Sequence, residues 1–255
     1  MPTRAVYPDL ADRSVFITGG GSGIGAALTR AFAAQGARVA FVDIAAAESR
    51  ALVDAVAEET GRAPLFLPCD IRDIPALQAA VAAAGAAHGD VTVLLNNAAN
   101  DERHSVETVT PAYYDDRMAI NLRPMLFAAQ AVLPMMRRRG GGSIVNFGSI
   151  SWKLRNGGMP AYTMAKAAVH GLTRGLARDL GPDGIRVNTL LPGWVMTERQ
   201  KALWLTPAAE AEMLAGQCLK IRIAPEQVAD LALFLAADAS GACTAQEFTV
   251  DAGWS

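Results

Sequence analysis

Short β-prone runs alternate with alanine-rich helical stretches along the whole chain, and this alternation constrains the fold more than any other feature. Strand-like segments fall at 14–18, 38–43, 64–68, 91–96, 143–147, 185–191 and 247–250. Helical segments lie between and after them at 24–34, 47–60, 74–88, 112–139, 161–180, 208–219 and 225–236. Such an order predicts a parallel sheet with helices on both faces. The strands read as continuous apolar runs, as Val91, Val93, Leu94 and Leu95 do, which a sheet covered on both sides demands. Gly181-Pro-Asp-Gly184 is a turn that stops one helix before the next strand. No linker, repeat or low-complexity tract divides the 255 residues. One doubly wound α/β domain over residues 1–255, with a seven-stranded parallel sheet, is the expectation.

Composition narrows the setting. With 51% hydrophobic and 19% charged residues the chain is not of the disordered class. Basic and acidic residues nearly balance, for a net charge of −2. Arg137-Arg138-Arg139 is the longest basic tract and reads as a solvated helix end, so a nucleic-acid partner is not expected. No run approaches the ~18 apolar residues of a membrane span. Residues 1–10 lack the apolar segment of a secretory signal. Cys69, Cys218 and Cys243 are odd in number and widely spaced, and with His88, His104 and His170 they form no metal-ligand pattern. Each cysteine reads as a small buried apolar residue. A soluble, reduced, cytoplasmic protein without a metal is the expectation.

The first strand runs into Thr18-Gly-Gly-Gly-Ser-Gly-Ile-Gly25 and then a helix. Glycines there allow a sharp turn and bring backbone N–H groups toward a pyrophosphate at the helix N-terminus. Gly19, Ser22, Gly23, Ile24 and Gly25 are the candidate phosphate-side residues. Asp43 closes the second strand at the distance expected of a carboxylate that binds ribose hydroxyls and repels a 2′-phosphate. It suits a helix N-cap equally. Ile44 follows it and brings no cation, so NAD is favoured over NADP. Asp70 with Ile71 follows the third strand, where the carboxylate either caps a helix or bonds the adenine amino group. Asn97 and Ala98, in Asn96-Asn-Ala-Ala99, complete this side.

Tyr162 and Lys166 are i and i+4, on one helix face, and Ser149 lies just past the fifth strand. Asn121 sits before Pro124 in the long helical segment, where a proline kink would free the carbonyl of Ile120 beside it for an ordered water. Together these stretches, with Asn188 and Pro192-Gly-Trp-Val-Met-Thr197, resemble the short-chain dehydrogenase/reductase family over essentially the whole chain. The resemblance implies a Rossmann fold and an Asn121–Ser149–Tyr162–Lys166 tetrad. It further implies that Pro192, Gly193, Val195 and Thr197 lie along the nicotinamide, with Val195 and Thr197 on its carboxamide. Ala99 and Gly148 depart from the residues usual in the family. A hydroxyl that loses hydride from its carbon must also lose a proton, which calls for a base near neutrality. Tyrosine starts near ~10. A cation about 5 Å away at an effective dielectric of ~20 contributes ~3 kcal/mol, somewhat over two pKa units. Lys166 together with the positive nicotinamide ring is thereby expected to make Tyr162 a usable phenolate, and Lys166 to bond the nicotinamide ribose and, with Tyr162, to contact the cofactor.

Asn100-Asp-Glu-Arg-His104, Asn146-Phe-Gly-Ser-Ile-Ser-Trp152, Gln217-Cys-Leu-Lys220 and Asp251-Ala-Gly-Trp254 are similar to segments of bacterial sugar 1-dehydrogenases of the D-xylose type. Asn100, Asp101, Arg103, Ser149, Ser151, Trp152 and Tyr162 are the candidate substrate residues, with His104 beside them. Carboxylate, amide and guanidinium groups suit adjacent hydroxyls, and an aromatic ring suits the C–H face of a pyranose. Arg103 and His104 as loop residues, and Trp152 as core, are the competing readings. Oxidation of a free aldose at its anomeric carbon to the lactone is the leading function. Polyol, secondary-alcohol or 3-oxoacyl turnover and a silent dinucleotide sensor are the alternatives. Small apolar residues Ala128, Ala129, Ala131, Ala167, Ala168, Gly171 and Gly175 on the two tetrad helices suggest close helix approach, and the family implies a homotetramer.

Overall fold

The computed structural model describes residues 5–255, so the reading of residues 1–10 as free of a signal falls partly outside the described residues. Seven strands form one parallel sheet: β1 Ser14–Thr18, β2 Arg38–Asp43, β3 Leu65–Pro68, β4 Val91–Asn96, β5 Gly142–Phe147, β6 Ile185–Pro192 and β7 Glu247–Val250. Their order across the sheet is β3-β2-β1-β4-β5-β6-β7. The chain therefore builds outward from β1 and then reverses at β4. A crevice opens where that reversal occurs, at the carboxyl ends of the strands.

Alternate strand residues explain why both faces are covered. Val15, Ile17, Val93 and Leu95 join one core, against α1 (Gly23–Ala34), α2 (Ala46–Thr60) and α9 (Pro225–Ala236). Phe16, Leu94 and Ile144 join the other, against α3 (Ile74–His88), α5 (Arg123–Arg138) and α6 (Pro160–Leu180). Between the strands lies a buried polar ladder. Asn96 Nδ2 donates to Asn146 Oδ1 at 2.8 Å, Asn146 Nδ2 to Thr173 Oγ1 at 3.0 Å, and Thr189 Oγ1 to Thr173 Oγ1 at 2.8 Å. The first amide of the Asn96-Asn97 pair thus holds β4, β5 and α6 together.

Four local expectations are corrected. The segment at 112–139 is two helices, α4 (Pro111–Asn121) and α5, broken at Leu122 (φ −138°, ψ −56°). Pro124 sits in the first turn of α5, where its missing N–H costs no helical hydrogen bond, so the chain breaks rather than kinks. A short helix α7 (Glu198–Leu203) precedes α8 (Pro207–Gly216), which ends before the expected 219 because Gln217 is extended. Cys218 is exposed, whereas Cys69 is buried. The triple arginine does end a helix, Arg137 and Arg138 pairing with Asp183 and Asp90. No helix among the described residues is long and apolar enough to cross a membrane.

Candidate active site

At the end of β1 the backbone turns through Gly19 (φ +66°), whose N–H donates to Val42 at 2.8 Å. A Cβ on Gly25 would stand 1.7 Å from the Gly19 carbonyl, so the turn closes only on a bare glycine. Gly21 N–H donates to Asp43 Oδ2 and Ala45 N–H to Oδ1, both at 2.9 Å. Asp43 therefore fastens the glycine turn to the loop before α2. The N-cap itself is Ala45, which corrects the capping reading of Asp43. Ser22 caps α1 by position alone, with no side-chain bond, and lines the cavity with Gly19, Ile24, Gly25, Asp43 and Ile44. Gly23 (φ +53°) does not line it; it packs toward the Thr197 methyl.

The cavity has a volume of about 1000 Å³ and follows the strand ends from this turn to α7 and α8. Asp70 and Ile71 lie in its wall. Asp70 caps no helix, because Asp73 takes that place on α3 and Asp70 grips Arg72 instead. Hydrogen bonds from Arg72 hold the Asp70 carboxyl below its usual range. Asn97 and Ala98 also line the wall. The Asn97 amide donates to the Thr18 and Gly19 carbonyls, tying β4 to the glycine turn. Asn121 is fully buried behind the wall, where Ile120 faces the cavity. Its Oδ1 accepts from Asn100 N–H at 2.9 Å and its Nδ2 donates to Asn100 O at 3.1 Å, locking the loop after β4.

Ser149, Tyr162 and Lys166 meet in the middle of the cavity. Ser149 Oγ accepts from Ser151 N–H, which opens the short turn Ile150–Trp152. Lys166 is 1% exposed; its Nζ donates to Phe147 O at 2.8 Å and stands 5.8 Å from the Tyr162 ring centre. Burial pushes the Lys166 ammonium down to about 7, against the pull of Asp101. Burial, with Asp101 adding to it, pushes the Tyr162 phenol up to about 12, while Ser149, Arg103 and Arg199 oppose the rise. Of the two cations expected to make Tyr162 a usable phenolate, Lys166 and the nicotinamide ring, the lysine does not by itself offset burial. Desolvation of both groups outweighs the helix-face pairing.

Beyond Tyr162 the wall is built by the loop after β4 and by α7. Asp101 pairs with Arg199 and accepts from Gln200 Nε2 at 2.7 Å. Burial works against its ionisation, yet Arg199 and Gln200 hold the carboxyl below its ordinary value. Arg103 lies 5.0 Å over the Trp204 ring and also contacts the Met159 sulfur. Asn100, Asp101, Arg103, Ser149 and Ser151 all line the cavity as expected. Trp152 does not. It turns onto α6, donating its indole N–H to His170 Nε2 at 3.0 Å. His104 is also structural: its Nε2 accepts from Ala161 N–H at the start of α6.

The aromatic wall comes instead from Trp194, Trp204 and Trp254, three of the chain's four tryptophans. No periodic signal marked them. The pattern Thr197-x-x-Gln200 could have announced α7, since Thr197 Oγ1 accepts from Gln200 N–H at 3.2 Å. Two buried polar atoms of this wall, Ser151 Oγ and Trp204 Nε1, have no partner among the described residues. Pro192, Gly193, Val195 and Thr197 line the stretch between the wall and the glycine turn.

Residues 19–255 match the family model described as enoyl-(acyl carrier protein) reductase. The chain is 53% identical over 247 residues to a probable galactose dehydrogenase of Rhizobium meliloti, covering 97% of this chain and 96% of the relative. It is 52% identical over 252 residues to a D-xylose 1-dehydrogenase of Caulobacter vibrioides, covering 99% of each. A solved short-chain type dehydrogenase/reductase from Mycobacterium ulcerans superposes with a TM-score of 0.92 at 28% identity, covering 98% of this chain and 91% of that one.

Proposed function

The chain belongs to the short-chain dehydrogenase/reductase family, and from that premise we propose that it oxidises the anomeric hydroxyl of a free aldose to the aldonolactone, with NAD as hydride acceptor. One observation carries the sugar reading. The cavity that holds Tyr162, Ser149 and Lys166 continues into a wall of tryptophans and charged side chains, Trp194, Trp204, Asp101, Arg103 and Arg199 among them. A polyhydroxylated ring supplies both C–H faces for indoles and hydroxyls for the charged groups. The sugar dehydrogenases among the relatives support the same class.

Tyr162 Oη takes the proton from the reacting hydroxyl, and Ser149 Oγ holds that oxygen. Asn121 positions the loop through Asn100, and Lys166 bonds the nicotinamide ribose. The glycine turn fits a dinucleotide, because Gly19 and Gly25 leave the α1 N-terminus bare beside the Ser22 hydroxyl. Ile24, Asp70, Ile71, Asn97, Ala98, Pro192, Gly193, Val195 and Thr197 complete the cofactor wall, with the Asp43 carboxylate at the ribose. A bound oxidised nicotinamide supplies the hydride acceptor and a cationic ring that lowers the Tyr162 phenol. Asp101 and Arg103 contact sugar hydroxyls, and Trp204 replaces Trp152 as the aromatic partner.

The free thiols suit a reducing cytoplasm. Purified protein supplied with NAD or NADP and a panel of sugars tests the reading. Xylose, galactose, arabinose or fucose should reduce NAD, and the matching methyl glycosides, which have no free anomeric hydroxyl, should not. Comparable turnover of xylitol or a methyl xyloside would assign the protein to polyol oxidation instead.

A further inference from the structure

Trp152 closes the turn that Ser149 opens, yet its side chain lies outside the cavity, against α6. There it packs edge-on to His170, ring centres 5.0 Å apart. His170 stands one helical turn beyond Lys166, on the helix that also carries Tyr162. An indole N–H only donates, so the Trp152 bond requires an unprotonated His170 Nε2. The ring proton is then on Nδ1, which lies 2.6 Å from Glu247 Oε1 of β7, a close contact without the alignment of a hydrogen bond. Gly148, immediately before Ser149, packs over this ring; a Cβ there would lie 3.7 Å from His170 Nε2.

We propose that His170 is a positioning residue for the reaction: clamped between Trp152 and Glu247, it fixes the Ser149 turn on the helix that presents Tyr162 and Lys166. The kinetic part of this inference rests on the reading of Ser149 and Tyr162 given above. The clamp needs neutral imidazole, since a proton on Nε2 would set two donors against each other. The charged groups facing the ring are Glu247 of β7, Lys153 just past the turn and Arg174 of α6. Burial holds His170 below the ordinary histidine value; Glu247 opposes this, and Lys153 and Arg174 add to it. The clamp is therefore closed at neutral pH and opens in acid.

Two measurements test it. In ¹⁵N-labelled protein, the indole N–H signal lost in Trp152→Phe should titrate in acid with the single proton of His170, and should stop titrating in His170→Gln. Under turnover at neutral to alkaline pH, His170→Phe should lower kcat by roughly 10- to 100-fold, the scale of a misplaced reacting group, with KM for the dinucleotide unchanged. His170→Gln, whose amide oxygen accepts the same indole bond, should restore most of kcat. The Trp152→Phe/His170→Phe double variant should lose no more than the worse single variant, because both remove one contact. An indole signal indifferent to His170, kcat of His170→Phe within about two-fold of the parent, no rescue by glutamine, or additive losses would each overturn the proposal. If the protein oxidises no free aldose, the sugar reading fails by itself. The kinetic arm then uses whichever alcohol is turned over, and if none is, the indole titration decides alone.

Discussion

Burial drives both Tyr162 and Lys166 toward their neutral forms, and the two shifts act on stability in opposite directions as pH changes. Lys166 falls from the ordinary 10.5 to about 7 on folding. Between these values the unfolded chain holds a proton that the folded chain has lost. Stability from this group therefore climbs as pH rises from about 7 to about 10.5, and is flat outside that window. Tyr162 acts oppositely, lowering stability as pH rises from 10 to about 12. Denaturation of Lys166→Met at several pH values should show the climb removed, with the variant gaining on the parent near neutrality. Tyr162→Phe should retain dinucleotide binding, measured by fluorescence, and lose turnover by about 10²–10⁴-fold, the range of general-base catalysis. Asp43 is held by Gly21 and Ala45, and on the proposed reading its carboxylate lies at the ribose and disfavours a 2′-phosphate. Asp43→Ala should weaken NAD roughly 10- to 100-fold, as expected for loss of hydrogen bonds to a charged group. Paired NAD and NADP kinetics on the variant should show the gap between the two cofactors narrowed.

Among the elements, the asparagine–threonine ladder joins the strand ends to the catalytic helix. Asn146 links Asn96 of β4 to Thr173 of α6, all fully or almost fully buried. Asn146→Ala strands the Asn96 amide away from water, at a cost of about 1–3 kcal/mol. For a chain of this size a calorimetric melt should then fall by about 2–4 °C per kcal/mol lost. Asn188 does similar work at the other edge, bridging Cys243 O and Gln246 N–H before β7. The break at Leu122 serves the site too, because it ends α4 at Asn121 and leaves that amide free to grip Asn100.

At the scale of the whole molecule, we propose a homotetramer. Ala128 and Ala129 pack wholly on the chain's own sheet, so they contribute nothing to assembly. On α6 the opposite holds. Met164 is 44% exposed, and a Cβ on Gly171 or Gly175 would meet nothing within 4 Å. Leu126 of α5 and Tyr114 of α4 are exposed as well, so all three helices leave apolar side chains open to another copy. Light scattering at micromolar concentration should give four times the 26.8 kDa of one chain. Gly171→Glu, which sets a charge on the open side of α6, should shift that mass downward while a single molecule keeps its circular dichroism. A parent of one chain mass would remove the proposal.

The doubly wound sheet, the glycine turn and the Ser149, Tyr162 and Lys166 positions were legible in the sequence, because each rests on local periodicity or on short fixed spacing. Short continuous apolar runs between helical stretches located every strand, and the i, i+4 spacing alone put Tyr162 and Lys166 on one face. What the tertiary structure decided were the properties that depend on which distant surfaces meet. Trp152 and Trp204 are equally aromatic in the sequence, but only packing turns one onto His170 and the other into the cavity. Asp70 and Asp73 are equally good caps, and the start of α3 selects Asp73. The ionisation of Tyr162 depends on the same kind of distant packing. The cation's distance follows from helix geometry, whereas desolvation follows from every element that closes over the pair, and here desolvation is the larger effect.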